Sequence, residues 1–183
     1  YKSGEVVDTV TTDESGTAQS KALYLGKYTV KEITAPHGMV LNTEPTIVEL
    51  TYAGQKVEIT ETGADFYNER QKAAVSLDKV MEQGEQTGIG MNGEITAVSF
   101  GLYAAEDLTA ADGSTIPADS LLETVSVDGD GHAAFATDLP FGSYYLKETA
   151  TDSHYVLSET KYPVVFEYAG QDVTVVEIAA NDG

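Results

Sequence analysis

Two ionisable side chains fall where strand alternation expects apolar ones. Val75, Leu77, Lys79 and Met81 share one face of an extended run, opposite Ser76, Asp78 and Glu82. Tyr144, Leu146 and Glu148 likewise share a face, opposite Tyr145, Lys147 and Thr149. Neither a lysine nor a glutamate is tolerated alone in a core, so an inward pair invites pairing and a shared proton. A buried salt bridge, or strand ends at which both heads reach water, fits the same alternation.

The elements that must position this pair are duplicated along the chain. Gly26-Lys27-Tyr28-Thr29-Val30-Lys31-Glu32 recurs as Gly142-Ser143-Tyr144-Tyr145-Leu146-Lys147-Glu148, a shift of 116 (142 − 26). Tyr52-Ala53-Gly54-Gln55 recurs as Tyr168-Ala169-Gly170-Gln171 at the same shift. Two copies of one module in tandem argue for a spacer before they argue for an enzyme. Strand alternation dominates, as in Tyr28-Val30-Glu32 and Val48-Leu50-Tyr52, and a further strand is expected from Ala73 to Met81. Glycine-rich turns punctuate it at Asp13–Gly16, Asp112-Gly113 and Asp128–Gly131. The pattern predicts an all-β chain of two tandem antiparallel β-sandwiches. One helical turn is expected over Pro117–Leu122, with proline at its first position.

The boundary is placed in the polar run Glu69-Arg70-Gln71-Lys72, giving modules at 1–71 and 72–183. Matching Gly16 to Gly131 sets Val6 opposite Leu121. Residues Val75 to Asp119 then have no counterpart in module one, which lacks its opening strands.

Composition narrows the partners. Acidic residues outnumber basic ones 30 to 10, for a net charge of −20. Nucleic acid and an anionic membrane surface both need positive charge and are disfavoured. The plain reading of the charge is a solvated surface. The chain has no cysteine. That suits a cytosolic protein, and equally a secreted one that stabilises itself by another cross-link. Starting at Tyr1, with no signal peptide or membrane-length apolar run, it reads as a fragment with no membrane insertion of its own.

The run Gly-x-Tyr-x-Val-Lys-Glu-x-x-Ala-Pro-x-Gly, Gly26 to Gly38, resembles the E-box of collagen-adhesin B-repeat (CnaB-type, SpaA-like) domains. Val98–Ala104 resembles the second strand of that family, and Val125–Gly131 with Asp138–Gly142 the stretch leading into the E-box. The resemblance covers module two and the last two thirds of module one. It implies immunoglobulin-like, prealbumin-like sandwiches from Gram-positive surface adhesins and pilins. It also implies an intramolecular isopeptide bond between a first-strand lysine, Lys79, and a last-strand asparagine, Asn181, with Glu148 as the catalytic acid. The face on which Asn181 lies is left open, because both sets of alternating residues before it are apolar. In module one the counterparts are Glu32 and Asn68, with no lysine at the family position. Lys2 precedes a different strand and is a poor substitute.

The implied chemistry is physically coherent. Amines attack only when neutral, and burial disfavours charge on amine and acid alike. A neutral glutamic acid can polarise the asparagine carbonyl and relay a proton to departing ammonia. Folding holds amine and amide together at high effective concentration. The step occurs once per molecule, so it is maturation and not turnover.

Module two departs from the pattern after its E-box, where Asp152-Ser153-His154 replaces Pro36-His37-Gly38. Module one would be an open sandwich with an uncovered edge, a candidate to take a strand from another chain. No cofactor and no metal site is expected. Asp128–Gly131 lacks the later ligands of a calcium loop and reads as a hairpin turn, while His37, His132 and His154 are scattered. No nucleophile elbow, phosphate loop or dinucleotide fingerprint points to an enzyme.

The expected role is thus a stalk or shaft module of an extracellular, cell-wall-anchored adhesin or pilin, in contact with neighbouring domains of the same protein. The alternative is an adhesive module binding a host matrix protein or glycan. An enzyme on the same sandwich is the third reading.

Overall fold

The computed structural model describes residues 1–110 and 112–180. In chain order it contains β1 (Gly26–Val30), β2 (Thr46–Leu50), β3 (Lys72–Asp78), a 3-10 turn (Glu94–Ala97), β4 (Ser99–Ala104) and β5 (Leu108–Thr109). There follow β6 (Thr115–Ile116), β7 (Leu121–Ser126), β8 (His132–Phe135), β9 (Gly142–Ala150), β10 (Tyr162–Phe166) and β11 (Val175–Ala180). The chain is all-β, as its alternation dictates. It divides into two units: Tyr1–Ile33 with Asn42–Tyr67, and Thr34–Leu41 with the chain from Asn68 onward. The segment 34–41 follows the first E-box in sequence and clusters with the second unit.

In the second unit, a sheet in the order β10-β9-β4-β7 faces one in the order β11-β3-β8. The first is antiparallel throughout, with Leu102 opposite Leu146 and Val164 opposite Tyr144. In the second, β3 and β8 are antiparallel, but β11 runs parallel to β3, from Val175 with Lys72 to Ala180 with Leu77. Parallel pairing needs a long crossover, which the intervening sandwich supplies. Between the sheets lie Val75, Leu77, Val98, Phe100, Leu102, Phe135, Tyr144, Leu146, Val164 and Phe166. Each such side chain, fully buried, contributes roughly 1.5–3 kcal/mol.

The first unit holds the β1–β2 hairpin, in register from Gly26 with Leu50 to Val30 with Thr46. Shifted by 116, this is the β9–β10 pairing of Gly142 with Phe166 and Leu146 with Tyr162. No residue of the first unit is fully buried. The physical reason lies in the unmatched stretch Val75–Asp119, which gives the second unit β3 and β4 and the core residues Val75, Leu77, Val98, Phe100, Leu102, Ala104 and Leu108.

Residues Pro117–Leu122 do not form the expected helical turn. Ser120 N–H donates to the Pro117 carbonyl at 3.2 Å, and Asp119 adopts a φ of 62°, so the segment is a tight turn into β7. Proline at an early turn position and a left-handed aspartate two residues on favour that geometry as readily as a helix start.

Candidate functional site

Lys79 and Glu148 meet in the second unit. Glu148 lies on β9, opposite Phe100 of β4, on the face of Tyr144 and Leu146 that alternation assigned to the core. Its side chain is 2% exposed, that of Lys79 is 26% exposed, and Lys79 Nζ stands 3.4 Å from Glu148 Oε1. The lysine follows the last residue of β3 and lies at the rim of the sandwich, beside an open cleft of about 390 Å³ lined by Met81, Gly90, Ile95 and Gly129. The strand expected to run to Met81 ends at Asp78, although Met81 still packs on the core.

The two oxygens of Glu148 are held differently. Oε2 accepts the Ser158 backbone N–H at 2.7 Å. Oε1 is buried and, among the described residues, accepts no hydrogen bond. A buried carboxylate oxygen in that state costs about 1–3 kcal/mol, more if charged. It is retained only where the surroundings or a function compensate. Oε2 is anchored by backbone, so Oε1 is fixed toward the amine.

Lys79 is fixed through its main chain. Its N–H donates to the Gly131 carbonyl at 2.7 Å, and a Cβ on Gly131 would fall 2.3 Å from the Lys79 carbonyl oxygen. Gly131 also has a φ of 90°. Only glycine tolerates both demands, so this residue determines how closely the Asp128 turn approaches the lysine. Neither Gly131 nor the Ser158 N–H was singled out as part of the site from sequence. The spacing of ten residues from the E-box glutamate to its backbone donor is the same in both units and becomes visible only in the structure.

Asn181 lies outside the described residues. The last described pair of the neighbouring strands is Leu77 with Ala180, two positions before Lys79 in the chain. On β11 the inward set is Val176, Ile178 and Ala180, all packed on the core.

In the first unit, Glu32 Oε2 accepts the Asn42 N–H at 2.7 Å, matching Glu148 and Ser158 residue for residue. Glu32 is half-buried. Asn68 belongs to the second unit, where its amide donates to the Val40 carbonyl at 3.0 Å. Tyr28 O–H donates to the Tyr24 carbonyl and Tyr144 O–H to the Pro140 carbonyl, each at 2.6 Å. Burial, aided by the charge on Glu106, pushes the Tyr144 hydroxyl up to about 12, so it remains a donor.

The Asp128 turn binds its own backbone. Its Oδ1 accepts the Asp130 and His132 N–H groups, both at 2.9 Å. Asp13 does the same with Ser15 at 2.9 Å and Thr17 at 3.2 Å. Among the described residues, no group of three His, Asp or Glu side chains could hold a metal. No helix among them is long and apolar enough to cross a membrane.

The family model of the SpaA prealbumin-like fold domain matches residues 1–64 and 82–182. The trypsin-resistant surface T6 protein of Streptococcus pyogenes serotype M6 is 29% identical over 147 residues, covering 75% of this chain and 25% of that protein. The Bacillus anthracis TIE protein aligns with a TM-score of 0.55 and 25% identity over 93% of this chain and 28% of that one. A streptococcal ancillary pilin aligns over 88% of this chain and 44% of its own, at 22% identity and a TM-score of 0.33. The chain thus spans about a quarter of the length of the first two. With that model matched over residues 1–64 and 82–182, the chain belongs to the SpaA prealbumin-like fold domain family.

Proposed function

We propose that this chain is a load-bearing pair of modules from a Gram-positive surface protein or pilus shaft, and that the second module closes itself with an isopeptide bond between Lys79 and Asn181. The observation that supports this reading is the buried Glu148 carboxyl, with one oxygen anchored by Ser158 N–H and the other 3.4 Å from the Lys79 amine.

In the proposed step the neutral Lys79 amine attacks the Asn181 side-chain carbonyl carbon. A carbon–nitrogen bond forms, the original amide nitrogen leaves as ammonia, and Glu148 carries the proton from the amine to it. No oxidant or cofactor is consumed, and the protein does not turn over. Lys79 and Asn181 lie roughly 100 residues apart. By the chain-entropy relation used for disulfides, closing such a loop is worth about 4.7 kcal/mol. Tension entering along β3 would leave along its neighbour β11 without parting the two sheets. The T6 relative is described as a trypsin-resistant surface protein, and a covalent closure would confer that property without cysteine.

The module boundary near 71, an extracellular and cell-wall-anchored location, and contact with neighbouring domains of the same protein belong to this proposal. Proteolysis followed by tandem mass spectrometry tests it. The expected product is a branched peptide joining the segments that carry Lys79 and Asn181, absent from Glu148→Ala. Recovery of both segments as linear peptides from the wild type would reject the bond.

A further inference from the structure

The Tyr168–Gln171 turn of the second unit is an occupied socket. Gly170, at a φ of 97°, receives the Val173 N–H at 3.3 Å to close the turn. Onto it folds the segment Ala35–Leu41, assigned to the same unit. Ala35 N–H donates to Gln171 Oε1 at 2.9 Å, and Leu41 N–H donates to the Gln171 carbonyl at 2.8 Å. Tyr168 O–H donates to the Met39 carbonyl at 3.3 Å, and the His37 ring lies 4.5 Å from that of Tyr168. The segment holds its own shape, since Met39 N–H donates to the Pro36 carbonyl at 3.0 Å and Gly38 has a φ of 86°. The turn thus reads two backbone N–H groups with one glutamine and covers the bend with one tyrosine.

The first unit contains the same turn without that cover. Tyr52-Ala53-Gly54-Gln55 repeats the sequence, Gly54 repeats the backbone at a φ of 109°, and Val57 N–H donates to the Gly54 carbonyl at 3.1 Å. Gln71, nearly buried, braces the second turn by bonding Gly170, Val173 and Ala169. The first turn takes its shape with no counterpart of Gln71 in residues 1–67. Tyr52 is 67% exposed, and Gln55 is exposed beside it.

We infer that the Tyr52–Gln55 turn is a docking site for the post-E-box segment of another module of this kind, an Ala-Pro-x-Gly bend of the type formed by Ala35–Leu41. Gln55 supplies the acceptors for the two backbone N–H groups, and Tyr52 packs on the residue after the proline. The inference does not depend on the isopeptide bond.

The test appends a second copy of residues 33–42 to the N-terminus of the full chain through a flexible Gly/Ser linker, which holds it at millimolar effective concentration. Amide hydrogen exchange and the Tyr52 ring resonances are then followed by NMR. The amides of Tyr52–Gln55 are expected to exchange roughly tenfold more slowly than in the unmodified chain. That protection disappears when the appended copy carries Pro36→Ala and Gly38→Ala, or when the chain carries Tyr52→Ala. Unchanged exchange at Tyr52–Gln55, or changes confined to Tyr168–Gln171, would overturn the inference. The isopeptide reading can fail by mass spectrometry while this one stands, and the reverse.

Discussion

The β1–β2 and β9–β10 hairpins are one structure built twice, in unequal surroundings. Their registers, their tyrosine-to-carbonyl bonds and their glutamate-to-backbone bonds coincide at a shift of 116. Yet Leu146 is fully buried while its copy Val30 is 37% exposed. Local sequence therefore sets hairpin geometry, and the strands at 72–104 convert that geometry into a core. The acid at the end of the first hairpin strand is held in both units. In the second unit Lys79 stands beside that acid.

This contrast can be broken most forcefully at the paired tyrosines. Tyr144→Ala should destabilise the second unit by about 3–5 kcal/mol, as large core truncations do. Tyr28→Ala should cost the first hairpin about 1 kcal/mol, mainly one hydrogen bond. Denaturant unfolding of the second unit and amide exchange in β1 read the two effects. Equal costs would mean that the hairpins do not differ in packing as described.

The paired turn glycines give the next largest effect. Gly131→Ala meets both a left-handed φ and the Lys79 carbonyl, and should cost roughly 2–4 kcal/mol. Gly16→Ala meets only its φ of 79°, with nothing within 4 Å of the new Cβ, and should cost roughly 1–2 kcal/mol. Similar losses in denaturant midpoint would remove Gly131 from its role in placing Lys79.

A smaller effect appears on raising the pH. The Tyr144 hydroxyl titrates at about 12 in the folded chain against 10.0 ordinarily. The folded state binds this proton more tightly, so the stability it contributes is complete below pH 10 and declines as pH rises toward 12. Tyr144→Phe should flatten thermal stability across that window, and an unaltered slope would contradict the assignment.

Acid should produce the smallest change, and it should be shared. Ser15 and Thr17 hold the Asp13 carboxyl below its ordinary 3.8, and the His132 N–H first among several donors does so for Asp128. Folded-state values lowered in this way add stability above about pH 3.8 that is lost as pH falls further. Both turns should loosen together in amide exchange. Loosening of one alone would separate two turns that share a geometry.

Much of this was legible in the sequence because it is local. The repeat exposed the paired hairpins, and alternation put Glu148 in the core and Lys79 on the face of Leu77. The parallel pairing of β11 with β3 was not legible, since adjacent strands from opposite ends of a module leave no local signature. Pro117 misled because proline opens turns and helices alike. The capture of Ala35–Leu41 by the second unit was hidden as well, because it rests on Gln171, Tyr168 and Gln71, distant residues whose types are ordinary. A backbone donor such as Ser158 N–H leaves no mark in residue type at all.

We propose that burial lets Glu148 join Lys79 to Asn181 as a covalent lock in the second module, and that Glu32 has no part in it. Intact-protein mass spectrometry addresses it most directly. We expect the purified chain to lack the mass of one ammonia, Glu148→Ala to regain it, and Glu32→Ala to leave the deficit unchanged. A wild-type chain of full mass would contradict the lock, and restoration by Glu32→Ala would place it in the wrong module.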